Sequence, residues 1–103
     1  MAKYSDKYFD AEYEYRYVIL PRSMSDIIIK LRESGRYLTE EDSRELGIIQ
    51  SKGWMHYDYH YPEPHILLFK RPIGTNPRTG KVDQDLKDKF FSLQKKFFSI
   101  STK

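Results

Sequence analysis

The chain has 103 residues, 39% hydrophobic and 16% aromatic, with a net charge of +3, which suits one domain with a modest core and argues against disorder. The absence of Cys excludes disulfides, thiolate zinc sites and cysteine nucleophiles. No apolar run approaches the ~20 residues of a membrane-spanning helix, and Met-Ala-Lys-Tyr-Ser-Asp at the start has no apolar signal core, so a soluble intracellular protein is expected.

Tyr4 to Asp10 is short and mixed, an edge strand at most. Tyr13 to Leu20 is a strand, because Tyr13, Tyr15 and Tyr17 alternate with Glu14, Arg16 and Val18. Pro21 ends it. A helix is predicted over Asp26 to Ser34, capped by Ser25 and stopped by Gly35. Its run Ile27-Ile28-Ile29 has low helix propensity, so packing must support it. Thr39 starts a second helix, with Glu40, Glu41 and Asp42 at the favourable end of its dipole, and Gly47 stops it. Trp54 to Tyr59 is aromatic-rich and reads as a strand. Ile66 to Phe69 is an apolar run short enough for a buried strand.

Pro62-Glu63-Pro64 joins these last two strands. Each Pro fixes its own φ and biases its predecessor toward extended geometry. The link should therefore be stiff and rather straight. It can turn the last strand back on its own chain or send it into a second copy by strand exchange.

After Pro72 the composition changes, which divides the chain into a domain over 1–72 and an extension over 73–103. Gly74 to Gly80 is turn material. From Asp83 to Phe98, Leu86, Phe90, Leu93 and Phe97 make one apolar helical stripe, with Phe91 and Phe98 off it. Residues 1–69 carry nine Lys/Arg and twelve Asp/Glu, a net of −3, whereas residues 70–103 carry nine Lys/Arg and three Asp, a net of +6. The body is not a basic nucleic-acid platform. The extension reads as a helix packed on the body or a partly disordered tail. A partner-docking helix or a membrane-surface helix is the sharper alternative, and the Asp residues argue against the membrane version.

The Gly74–Lys81 segment fails as a phosphate-binding P-loop. Five residues separate its two Gly where four are needed, and Val82 stands where a hydroxyl must reach magnesium. His56, His60 and His65 lack zinc-site spacing and read as exposed or interface histidines, although His56 and His60 would share a strand face. Ser51 lies outside any nucleophile elbow, and no catalytic constellation emerges. Lys7, Arg16 and Arg71 lie in or beside strands. Taken by residue type alone, they suit a solvated face with weak ion pairs. Their other reading is an oxyanion pocket, with the Arg fork and Lys charge joined by the Ser51 hydroxyl and the Trp54 indole N–H.

Several blocks decide between these readings. They are Tyr-Ser-Asp-Lys-Tyr (4–8), Glu-Tyr-Arg (14–16) with Val18 and Leu20-Pro21, Leu46-Gly47, Gln50-Ser51-x-Gly53-Trp54, His56-Tyr57 and Pro62-Glu63-Pro64-His65-Ile66-Leu67-Leu68-Phe69-x-Arg71-Pro72. Together they resemble the cyclin-dependent kinase regulatory subunit (Cks) family, from Tyr4 to Pro72. The resemblance implies an α+β fold: a four-stranded antiparallel β-sheet with two short helices between strands 2 and 3. Here a C-terminal helical extension is added.

The resemblance also implies a non-enzymatic adaptor of cell-cycle control, without cofactor or metal, working in nucleus and cytoplasm. It implies phosphothreonine binding, usually before Pro, by Lys7, Arg16, Ser51, Trp54 and Arg71. Kinase binding falls to Tyr8, Tyr57, His60 and Glu63, and Pro62, Glu63 and Pro64 form the hinge of strand-exchanged dimers. The implied partners are a cyclin-dependent kinase, phosphorylated substrates and a second copy, with no membrane. The implied mechanism is multisite phosphorylation by tethering.

Asp58, Tyr59 and Tyr61 depart from the apolar, apolar and Glu residues usual in the family, within the expected kinase patch. Tyr17 replaces a usual His, and Asp42-Ser43-Arg44 lacks a Trp often found before that Arg. Two other function classes compete. One is a phosphate-acting enzyme using Arg16, Arg71 and a His. The other is nucleic-acid binding by the basic tail, with steep salt dependence.

Overall fold

The computed structural model describes residues 2–101, with side chains through Leu93. Two short strands, β1 (Lys3–Tyr4) and β2 (Tyr8–Phe9), lead into β3 (Tyr13–Ile19). A 3₁₀ turn over Arg22–Met24 precedes α1 (Ser25–Glu33), and α2 (Glu40–Glu45) follows. Then come β4 (Met55–Tyr59), β5 (Ile66–Pro72) and α3 (Gln84–Ser101). All strand pairs are antiparallel, in the order β1-β3-β5-β4, with β2 also on β3. The fold is thus the expected α+β. Its first strand is broken in two, and both pieces lie on the same edge of β3.

The centre of the sheet is β3 on β5, which pairs Glu14 with Arg71, Arg16 with Phe69 and Val18 with Leu67. Directly opposed residues share a face. This inner face carries the buried core of Val18, Leu20, Ile28, Ile48, Trp54, Tyr59, Leu67 and Phe69, so it is the face the helices cover. The opposite face carries Tyr13, Tyr15, Tyr17, Leu68 and Lys70 and stays open.

The cap of α2 is as expected. Thr39 accepts from the Asp42 amide and the Asp42 carboxylate accepts from the Thr39 amide, a closed capping box. The cap of α1 is not. Ser25 is the first residue of the helix rather than its cap, and Met24, with no side-chain bond, holds that place because the 3₁₀ turn feeds the chain in already helical. Ile28 alone of the Ile run is fully buried, and Ile27 faces solvent.

The link at Pro62-Glu63-Pro64 is not straight. The Glu63 amide donates to the His60 carbonyl at 3.1 Å, and the Ile66 amide donates to the Glu63 carbonyl at 3.0 Å. Two successive turns therefore fold β5 back on its own chain. β5 also runs three residues past Phe69, because Lys70, Arg71 and Pro72 each have a partner on β3.

A bulge between His56 and Asp58 shifts the β4 register. It sends His56 and Tyr59 to the inner face and His60 to the open one, against the expectation that the two His share a face. His56 and His65 are buried rather than exposed. The His56 Nδ1 accepts from the Leu38 amide at 2.9 Å and its Nε2 lies 2.9 Å from the Asp58 carbonyl, so the ring is neutral with its proton on Nε2.

Burial is the first cause that lowers the His56 pKa, from 6.5 to about 4. The unfolded chain therefore binds this proton more readily than the folded one. Stability should be full above pH 6.5, fall as the pH drops toward 4, and lose on the order of 3 kcal/mol across that window. Denaturant titrations at pH 7 and pH 4.5 measure this loss. His56→Gln should flatten the slope; an unchanged slope in that variant would assign the acid sensitivity elsewhere.

Candidate functional site

A buried arginine must be paired. Arg71 on β5 is 8% exposed, and the register supplies its partner. Its Nε donates to Glu14 Oε2 at 2.7 Å and its Nη1 donates to Ser51 Oγ at 3.0 Å. Its guanidinium lies 4.4 Å from the Trp54 ring centroid.

Arg16 projects from the same face of β3. Its guanidinium is 5.0 Å from the Trp54 ring and 5.4 Å from the Tyr4 ring. Among the described residues its buried Nε has no hydrogen-bond acceptor. Burial, and then the charge of Arg71, hold the Arg16 pKa below the usual arginine value. One guanidinium is thus neutralised by Glu14 while its neighbour is not. Two cations share one indole, and Arg16 takes part in no ion pair among the described residues.

Four of the five expected phosphate ligands, Arg16, Ser51, Trp54 and Arg71, therefore meet. Lys7 is exposed and, among the described residues, no hydrogen bond or ion pair ties it to them. Ser5 bonds the Tyr17 backbone and Tyr8 pairs with Tyr15, so Asp6 and Lys7 lie in the strand break opposite Arg16.

Sequence reasoning passed over Glu14 and Tyr4. The first was legible as a carboxylate two residues from Arg16 on the same strand face. Tyr4 is held by accepting the Ile49 amide at 2.7 Å, a contact with no sequence signal. Beside Ser51 and Trp54 lies a cavity of about 140 Å³ lined also by Ser43, Arg44, Ile48 and Gln50.

The turn that carries Ser51 and Trp54 rests on the extension. The Lys52 amide donates to the Pro77 carbonyl at 3.0 Å. Gly53 has φ +99°, and a Cβ there would stand 2.5 Å from Thr75 Cγ2 and 3.4 Å from Gly80 Cα. Thr75 is buried and bridges Val82, which closes residues 75–82 into a hairpin. Further on, Phe90 meets Phe9 edge-on at 5.1 Å. Leu86 and Leu93 of the expected stripe are exposed, so α3 is covered at Phe90 rather than along the whole stripe. The Phe97 and Phe98 side chains lie outside the described residues.

The other expected cluster is on the open face. Tyr8 stacks on Tyr15 at 5.4 Å, and Tyr15 meets Tyr57 at 5.9 Å. Lys70 Nζ lies 4.6 Å from the Tyr13 ring and 5.3 Å from Tyr57. Burial, and then Tyr8, push the Tyr57 pKa up to about 12, so at neutral pH it is a hydroxyl donor. His60 and Glu63 border a groove of about 390 Å³ with Tyr17, Ile19, Ile66 and Leu68. Their closest approach is 3.9 Å, beyond hydrogen-bond reach.

The three departures separate here. Asp58 shares the open face with Tyr57. Tyr59 is buried on the inner face, with its hydroxyl on the Arg36 carbonyl, and Tyr61 lies 4.8 Å from the Arg32 guanidinium of α1. Neither of these belongs to the open patch. No cluster of three or more potential metal ligands occurs among the described residues.

Residues 2–73 match the family model described as cyclin-dependent kinase regulatory subunit. The chain belongs to that family. A regulatory subunit 2 from Arabidopsis thaliana is 51% identical over 72 residues, 70% of this chain and 82% of the relative. A regulatory subunit from Drosophila melanogaster is 49% identical over 69 residues, 67% of this chain and 88% of the relative. One from Dictyostelium discoideum is 56% identical over 74 residues, 72% of this chain and 85% of the relative. All three are named as regulatory subunits of cyclin-dependent kinases, a non-catalytic class. The Ser51–Trp54 turn lies inside the family match and the hairpin that supports it lies outside.

Gly53→Ala should lower stability by about 2 kcal/mol or more, through both left-handed strain and the Thr75 clash. Gly35→Ala is the control, with φ +73° and nothing within 4 Å of its Cβ. It should cost about 1 kcal/mol from strain alone. Equal losses in denaturant unfolding would remove the clash from the account.

Proposed function

We propose that this protein is a non-catalytic adaptor that docks on a cyclin-dependent kinase and holds substrates already phosphorylated on threonine. The supporting observation is the buried Arg16 Nε, which lacks an acceptor beside an Arg71 that Glu14 already neutralises. A phosphothreonine brings close to two negative charges and three acceptor oxygens. It would satisfy Arg16, draw on the free donors of Arg71 and lie over Trp54, with Lys7 at the edge. An unphosphorylated hydroxyl has too little charge to offset the cost of two adjacent guanidinium groups.

The relatives' names support a kinase partner, and the chemistry of the open face, with the family resemblance of Tyr8, Tyr57, His60 and Glu63, supports docking there. Tyr8 and Tyr57 supply aromatic anchors, and His60 and Glu63 a polar edge. Pocket and patch lie on opposite faces of one sheet, so kinase and substrate would not compete. Holding both raises the effective concentration of further sites on the same substrate. Work in the nucleus and cytoplasm follows from such a role. Strand exchange at Pro62-Glu63-Pro64 belongs to the same proposal, and it requires the two turns of that link to open.

The enzyme reading is weaker. Both ring nitrogens of His56 are engaged, and His60 lies on the face away from Arg16 and Arg71.

Calorimetric titration should show binding of a phosphothreonine-proline peptide and none of its unphosphorylated twin. Arg16→Ala should weaken that binding by about tenfold to a hundredfold and leave kinase capture intact. If the two peptides bind equally, or if the phosphopeptide is turned over, the adaptor pocket is wrong. Glu63→Gln should weaken kinase capture or shift the monomer–dimer balance, measured by pull-down and by light scattering. Retention of both at wild-type level would remove Glu63 from the interface and the hinge.

A further inference from the structure

We propose that the 75–82 hairpin adds a second anion subsite beside the phosphothreonine pocket, formed by Lys52, Arg78 and Lys81, which favours peptides bearing a second phosphate or a carboxylate near the first. The inference rests on the pocket reading above and extends it to residues outside the family match.

The placement is fixed by backbone contacts. Ser51 bonds Arg71, and Trp54 lies under both guanidinium groups. The two residues between them, Lys52 and Gly53, are the ones that meet the hairpin. The Lys52 amide is bonded to the Pro77 carbonyl, directly before Arg78, and a Cβ on Gly80, directly before Lys81, would lie 3.2 Å from Lys52 Cβ.

The hairpin is itself rigid. The Asn76 amide donates to the Lys81 carbonyl at 2.8 Å, the Gly80 amide to the Asn76 carbonyl at 2.8 Å, and the Arg78 amide to Asn76 Oδ1 at 2.9 Å. Lys52, Arg78 and Lys81 therefore leave the backbone at neighbouring points of one ordered turn, next to Ser51 and Trp54 in the chain.

Charge points the same way. Lys52, Arg78 and Lys81 are exposed, and none takes part in an ion pair among the described residues. No Asp or Glu occurs between Glu63 and Asp83, whereas that stretch carries Lys70, Arg71, Arg78 and Lys81. Glu14 is committed to Arg71, and Glu40, which lines the cavity beside Ser51 and Trp54, lies 3.6 Å from Arg44. A peptide anchored by its phosphothreonine would thus meet an uncompensated positive rim. For an adaptor of multisite phosphorylation this has a direct use: substrates phosphorylated twice, or with acidic flanks, would be retained over those phosphorylated once.

Calorimetry of the full chain would compare four kinds of peptide on one scaffold: singly phosphorylated, doubly phosphorylated at several spacings on either side, the same with Asp as the second anion, and unphosphorylated. The second phosphate should improve affinity by about three- to tenfold at low salt, less at high salt, with a smaller gain for Asp. The double variant Arg78→Ala and Lys81→Ala, both exposed, should remove the gain and leave singly phosphorylated binding unchanged. A melt would verify that its fold is kept.

No gain at any spacing, or a gain that survives in the variant, overturns the subsite. Failure of the singly phosphorylated peptide to bind overturns the pocket itself and the subsite with it.

Discussion

The pairing of β3 with β5 is the constraint on which the rest depends. It places Glu14 opposite Arg71, and without that carboxylate at 2.7 Å a guanidinium could not be buried in the sheet. It also sets Arg16 and Arg71 on the same face, where Trp54 spreads under both. One register thus decides which strand residues form core, which gather as the arginine pair around Trp54 and which stay on the open face. A slip of β3 by a single residue would turn Glu14 and Arg16 to the open face and Tyr15 to the inner one, and would leave Arg71 without its partner.

The two faces obey different physics. The inner face tolerates two cations in close quarters because one is neutralised and both meet an aromatic ring, so the residual charge is concentrated on Arg16. The open face is built of tyrosines whose rings pack on one another and under Lys70. Such a surface is amphipathic and ordered before any partner arrives, which limits the entropy lost on docking. Membership in a family named for regulating kinases accords with a protein that offers surfaces rather than reactive groups.

Much of this was legible in the chain. The alternation of Tyr13, Tyr15 and Tyr17 with Glu14, Arg16 and Val18 located β3 and its two faces, and the acidic start after Thr39 located α2 and its cap. The family resemblance gathered Arg16, Ser51, Trp54 and Arg71, which are spread over 55 positions, into one pocket. Other features depended on contacts that no local pattern encodes. The bulge at His56 changes the face of every later residue in β4, so counting by twos put His60 on the face of His56, and the family resemblance placed Tyr59 in the open patch although it is buried on the inner face. Ser25 looked like a cap because the 3₁₀ turn before it carries no distinctive residue. The Pro-flanked link looked straight because the turns at Glu63 are made by backbone bonds that each Pro still permits. The hairpin after Gly74 read as linker because Gly and Pro mark turns whether or not the turn packs on something.

The bond between Arg71 and Glu14 closes a loop of 57 residues, and every partner of β3 on its β5 side is separated from it by both helices. The sheet therefore has little local contact to start from, and its central seam should form late and slowly. On a ribosome, β3 would emerge long before β5, with one unpaired edge and a row of tyrosines in water. Any chain carrying a β5 in the same register would complete that edge equally well. The interval between the synthesis of Arg16 and that of Arg71 is thus the time during which the edge of β3 stands unpaired in the nascent chain.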